Sequence, residues 1–169
     1  MAGLKKRWIA AACILAALLF ALGGRLLHQC RTAVSFDRLA DFLLASPVYC
    51  EGMQPLEKEE LVRRYPGIRA EDIISFRAFA ARDATAREFA LLEAAGEREA
   101  DAVCRALSLF CSEREKLFEL ADPQEAARVR AYHIRRTRNY VLFTISDPEG
   151  NGRRWIEDFL TQSGYDRSR

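Results

Sequence analysis

The chain has 169 residues, half of them hydrophobic and 30% charged, which suits one packed domain with accessories and excludes a disordered chain. Its formal net charge of +2 rests on three residues: Lys5, Lys6 and Arg7 are the only charges before Arg25, and without them 23 basic residues face 24 acidic ones. That near-neutral remainder excludes a general nucleic-acid binder, which needs a clear positive excess against phosphate.

Behind those three charges, WIAAACILAALLFALGG runs apolar from Trp8 to Gly24. As a helix these residues rise about 25 Å, the short end of a bilayer core. Positive charge before an apolar run keeps the N-terminus on the cytoplasmic side, so the remainder faces outward. The segment reads as an uncleaved signal anchor. A cleaved signal peptide is the rival, with Ala21-Leu22-Gly23 as the cut site. Cys30 is a poor lipid-attachment site, because Leu27-His28-Gln29 before it holds no small residue.

Residues 25–33 form a juxtamembrane linker. SFDRLADFLLAS then places Phe36, Leu39, Ala40 and Leu43 at helical spacing, with Ser35 as N-cap and Pro47 as stop. EGMQP reads as a loop, and LEKEELVRRY as a short exposed helix ended by Pro66 and Gly67. IRAEDIISFRAFAAR changes to a two-residue period, with Ile74, Phe76, Ala78 and Ala80 on one face. REFALLEAA follows after RDAT, with Phe89 and Leu91 opposite Ala90 and Leu92, and the two runs suggest an antiparallel hairpin.

Glu97 to Leu120 gives the clearest helical pattern. Ala100, Val103, Leu107, Phe110 and Cys111 form its stripe, and Glu97 and Glu99 complement the dipole at its start. Asp122-Pro123 opens a short helical turn through Glu125 and Ala127. A second hairpin joins RAYHIRRT to YVLFTIS across Arg138-Asn139, and the run Tyr140 to Ile145 marks a central strand. After the turn cluster Asp147–Gly152, RRWIEDFL closes the domain as a helix with Trp155, Ile156 and Phe159 inward. Residues 163–169 read as a frayed tail.

The order and spacing of YPGIRAEDI, of A-x-x-E-F-A-L-L at Ala84 to Leu92, of the long helix, and of NYVLFTISD at Asn139 to Asp147 resemble one bacterial family. That family is known as domain of unknown function 4358, and the likeness spans Phe36 to Leu160. The resemblance implies an extracytoplasmic domain behind an export, anchoring or lipoprotein segment. It implies no catalytic role.

Glu88 matches the acidic position of that pattern. It can cap a turn, pair with Arg82 or Arg87, or line a groove. Catalysis would need a partner of displaced pKa within hydrogen-bond reach. His133 is the only histidine in the domain, since His28 is juxtamembrane, and it sits among arginines in a strand. No nucleophile elbow, zinc helix or phosphate loop occurs. Of the five cysteines, Cys13 lies in the apolar segment. Cys104 and Cys111 stand about 10 Å apart along one helix, too far to bridge. Cys50 can pair with either of them, or all three can be small apolar fillers.

RVRAYHIRRTR is the densest charge feature: Arg128, Arg130, Arg135, Arg136 and Arg138 lie within 11 residues that hold no acid. Arginine forks bind phosphate or carboxylate in paired hydrogen bonds, with Tyr132 and Tyr140 as flat neighbours. The plainer alternative pairs these arginines with Glu93, Glu97 and Glu99 across the fold.

Together these features predict an α+β domain over 34–162. Two hairpins give a four-stranded, mainly antiparallel sheet with helices packed on one face, behind the 1–24 signal segment. The expected role is a non-enzymatic, membrane-anchored interaction or ligand-binding domain outside the cytoplasm. Its binding residues would be Glu88 and the five arginines, and its partner an envelope protein or an anionic polymer or lipid. No metal or cofactor is expected. The alternative is a small envelope hydrolase using Glu88 and His133.

Overall fold

The structure, a computed structural model, describes residues 35–45, 52–83, 85–146 and 151–162. The apolar N-terminal segment, the linker, Cys13, Cys30, Cys50, Pro47, the Asp147–Gly150 part of the turn and the tail lie outside them. So do the side chains of Leu43, Trp155 and Phe159. Among the described residues, no helix is long and apolar enough to cross a membrane.

Among the described residues, five α-helices and five strands follow one another. They are α1 (Phe36–Leu44), β1 (Met53–Pro55), α2 (Lys58–Arg64), β2 (Ile73–Ala81), β3 (Glu88–Ala94), α3 (Glu97–Ala121), α4 (Pro123–Arg130), β4 (His133–Thr137), β5 (Tyr140–Ile145) and α5 (Asn151–Gln162). The strands form one antiparallel sheet in the order β1-β2-β3-β5-β4. The α+β class holds, but the sheet has five strands and not four. The added strand is cut from EGMQP, read as loop. Three residues are too few to show a period of two, and pairing with the end of β2 decides their conformation. Pro55 lacks an N–H, which is tolerated because β1 is an edge.

Helices cover both faces of the sheet, where one face was expected. On one side α2, α3 and α4 bury Leu61, Val103, Leu107 and Val129 against Ala90, Leu92 and Phe143. On the other, α1 and α5 bury Phe36, Leu39, Ile156 and Leu160 against Phe89, Leu91 and Leu142. The reason lies in β3 and β5. Both alternate apolar with apolar, so each face needs a cover.

Three other expectations shift. The helix from LEKEELVRRY is not an exposed one: Leu61 and the following Tyr65 are fully buried. In β2 an irregularity between Ile73 and Ser75 puts Ile73 in the core and leaves Ile74 exposed. Asp122 caps α4, its Oδ1 accepting from the amides of Gln124 and Glu125 at 2.9 and 3.3 Å. The helix runs on to Arg130, so the second hairpin starts only at His133.

Candidate functional site

Glu88 opens β3 on the face covered by α2 and α3. The alternation of the strand puts Glu88, Ala90 and Leu92 on one side, and the pairing of Glu88 with Ile145 fixes that side as the α3 side. A charged residue there has no water to solvate it, and its side chain is fully buried. It needs cations and donors, and the end of α2 and the middle of α3 supply them.

Arg64, the last residue of α2, donates from Nε to Glu88 Oε1 at 3.1 Å and also from Nη2. Arg114 of α3 places Nη1 2.9 Å from the same oxygen. Tyr65 donates its hydroxyl to Oε2 at 2.7 Å. Two guanidinium groups and a phenol thus occupy both oxygens of one carboxylate. Both oxygens therefore serve as acceptors within the fold.

The surroundings keep that arrangement in place. Tyr65 packs edge-on against Phe110 and Phe143, with centroids 4.9 and 5.9 Å away. The guanidinium of Arg114 lies 5.4 Å over Phe110 and 5.3 Å over Phe118. Burial, then the negative charge of Glu88, holds the Tyr65 phenol well above its ordinary value, so Tyr65 stays a donor. Burial also pushes the neighbouring Cys111 thiol up to about 12, which makes it an inert filler. Burial is the largest influence on Arg64 and opposes its charge, but the hydrogen bond and the negative charge of Glu88, with Tyr65, together outweigh it and raise the group.

A second buried acid joins α4 to the same strand. Glu125 accepts from the backbone amide of Ala86 at 2.6 Å, and Arg128 Nε lies 3.3 Å from it. The start of β3 is therefore tied to α2 and α3 through Glu88 and to α4 through Glu125. The groups that the geometry shows on Glu88 are Arg64, Tyr65 and Arg114.

Glu88 and His133 do not meet. His133 pairs with Thr144 while Glu88 pairs with Ile145, and successive residues of β5 point to opposite faces. The sheet stands between the two side chains. His133 lies toward α5, where burial and then Arg153 lower its pKa.

The five arginines of 128–138 are likewise divided. Arg128 and Arg130 lie on α4, where Arg130 pairs with Glu115 and Glu119 at 2.7 and 3.1 Å. Arg136 turns to α3, pairing with Asp101 at 3.0 Å and donating to the Glu97 carbonyl at 3.1 Å. Arg135 points to the other face. There it borders a shallow hollow of about 270 Å³, open mouth included, against Leu39, Tyr140 and Leu160. Arg138 sits exposed at the hairpin tip with φ of 54°. No single surface holds all five. The alternative pairing across the fold is right for Glu97.

Sequence reasoning missed Arg64, Tyr65 and Arg114. One of them left a signal: Arg114 interrupts the apolar stripe of α3, one helical turn from Cys111 and Phe118. A lone cation in a buried stripe asks for a buried acid, and Glu88 on a strand of apolar neighbours is the match. Among the described residues, no group of three His, Cys, Asp or Glu side chains could hold a metal. No family model, curated protein or solved structure matches the chain, so the resemblance noted above rests on the residues quoted for it.

Proposed function

We propose that this chain is a membrane-anchored domain displayed outside the cytoplasm, working by contact with a partner or ligand and not by catalysis. The observation that carries this reading is the N-terminus: Lys5-Lys6-Arg7 ahead of the apolar run Trp8–Gly24, joined to a domain with nearly balanced charge. Two features support the contact role. Both oxygens of Glu88 are committed to groups that hold the fold, and the only histidine of the domain lies across the sheet from it. Kinship with the domain of unknown function 4358 family, proposed on the residues quoted above, agrees with the location.

The test is topological. The full chain, carrying a C-terminal reporter that folds only outside the cytoplasm, should stay with membranes after an alkaline carbonate wash and give an active reporter. Replacing Lys5, Lys6 and Arg7 with Glu should cut reporter activity by about tenfold, because the orienting charge is lost. A wild-type chain recovered in the soluble fraction with an inactive reporter would overturn the reading.

A further inference from the structure

The outward face of α3 carries an apolar row that the core does not use. Leu109, Leu117 and Leu120 are 56%, 71% and 91% exposed. At 3.6 residues per turn they fall within about 80° of one another, with Glu113 and Lys116 between them. The row points away from Ala100, Val103, Leu107 and Cys111, which are buried against the sheet. A single exposed leucine is ordinary, but three aligned on one helix face mark a contact surface.

The row is complementary to itself. A second α3, laid antiparallel about a two-fold axis that passes beside the helix, level with the point between Arg114 and Glu115, puts Leu109 against Leu120 of the second copy. The same operation puts Glu113 against Lys116, and the symmetry makes each match occur twice. Leu117 lies on the flank of the pair, beside the matched residues. From this charge and apolar complementarity we infer that α3 is a homodimer interface, pairing antiparallel with α3 of a second copy of this chain. The exposed charges on or beside the row balance, Arg98, Arg105 and Lys116 against Asp101, Glu113 and Glu119, so it offers no net positive charge to an anionic lipid surface. The row is about 16 Å long, so the pair is a weak one.

The inference names a partner for the contact role proposed above, but it stands on α3 alone and its test does not need the anchor. The full chain in mild detergent should pass from monomer to dimer with rising concentration in sedimentation equilibrium. Leu120→Lys, at a position already in water, should leave the circular dichroism unchanged and raise the dissociation constant by roughly tenfold or more. Glu113→Lys and Lys116→Glu should each weaken the dimer by a similar factor, since each turns two attractions into repulsions. The double exchange should restore it to within about threefold.

A monomer at every concentration would overturn the inference. So would a dimer indifferent to Leu120→Lys, which would place the contact elsewhere, for instance in the apolar N-terminal run. Failure of the double exchange to rescue would remove the antiparallel pairing. Monomers that sediment with phosphatidylglycerol vesicles through Leu120 would make the row a lipid contact instead. A cytoplasmic location for the reporter would leave all of these readings unaffected, so the two proposals fail separately.

Discussion

Replacing Glu88 with Gln keeps the shape of the side chain and removes its charge. Arg64 and Arg114 would then share a mostly buried space without an anion. Breaking such a pair from one side costs about 3–5 kcal/mol, and chemical denaturation of Glu88→Gln should show a loss of that size. Tyr65→Phe strips the donor from Oε2 and should cost about 1.5–3 kcal/mol in the same measurement. A loss below about 0.5 kcal/mol in both variants would mean that the cluster does not hold the domain together. The sequence marked Glu88 but could not say who binds it. Its partners stand 23 to 26 residues away in the chain, on two helices, and only the packing of α2 and α3 on β3 brings them to one point.

At the scale of elements, legibility followed the strength of the local pattern. The unbroken run of β5 and the stripe of α3 each announced their structure, because one element's own residues determined it. The short β1 did not, since its conformation is supplied by β2. The coverage of both faces was half-visible: Phe89 and Leu91 opposite Ala90 and Leu92 already meant two apolar faces, and only the assignment of helices to one side hid it. The turn after α2 shows a similar dependence on context. Gly67 has φ of +96°, and a Cβ there would meet the Ala106 Cβ at 3.4 Å. Gly67→Ala should therefore destabilise the fold by about 1–2 kcal/mol in thermal unfolding. Arg138, held at φ of 54° in the β4–β5 turn, is the converse case. Arg138→Gly relieves the backbone and should leave stability unchanged or raise it by up to about 1 kcal/mol.

For the whole molecule, the buried protons make alkaline pH the hazard. Cys111 is raised from 9.0 to about 12, chiefly by burial, and Tyr65 is raised well above 10.0 for the same first reason. The folded state holds both protons more tightly than the unfolded chain does. Their contribution is therefore complete below pH 9 and is lost as the pH rises toward and through 12, because the unfolded chain releases its protons first. Unfolding free energy measured from pH 8 to 11 should fall with a slope that is shallower in Cys111→Ala, and shallower again when Tyr65→Phe is added. The level of each variant will drop from lost packing or bonding, so the slope is the quantity to compare. An unchanged slope would mean that neither proton is held by the fold.

The two edges of the sheet end it in different ways. β1 is three residues long and stops at Pro55, which has no amide hydrogen to offer a further strand. β4 is five residues long and carries an arginine on each face, Arg135 on the side of Leu142 and Arg136 on the side of α3, where it pairs with Asp101. Among the described residues, a strand added at either side therefore finds few backbone groups to bond, and the short outer strands make the sheet a poor template for open-ended strand addition.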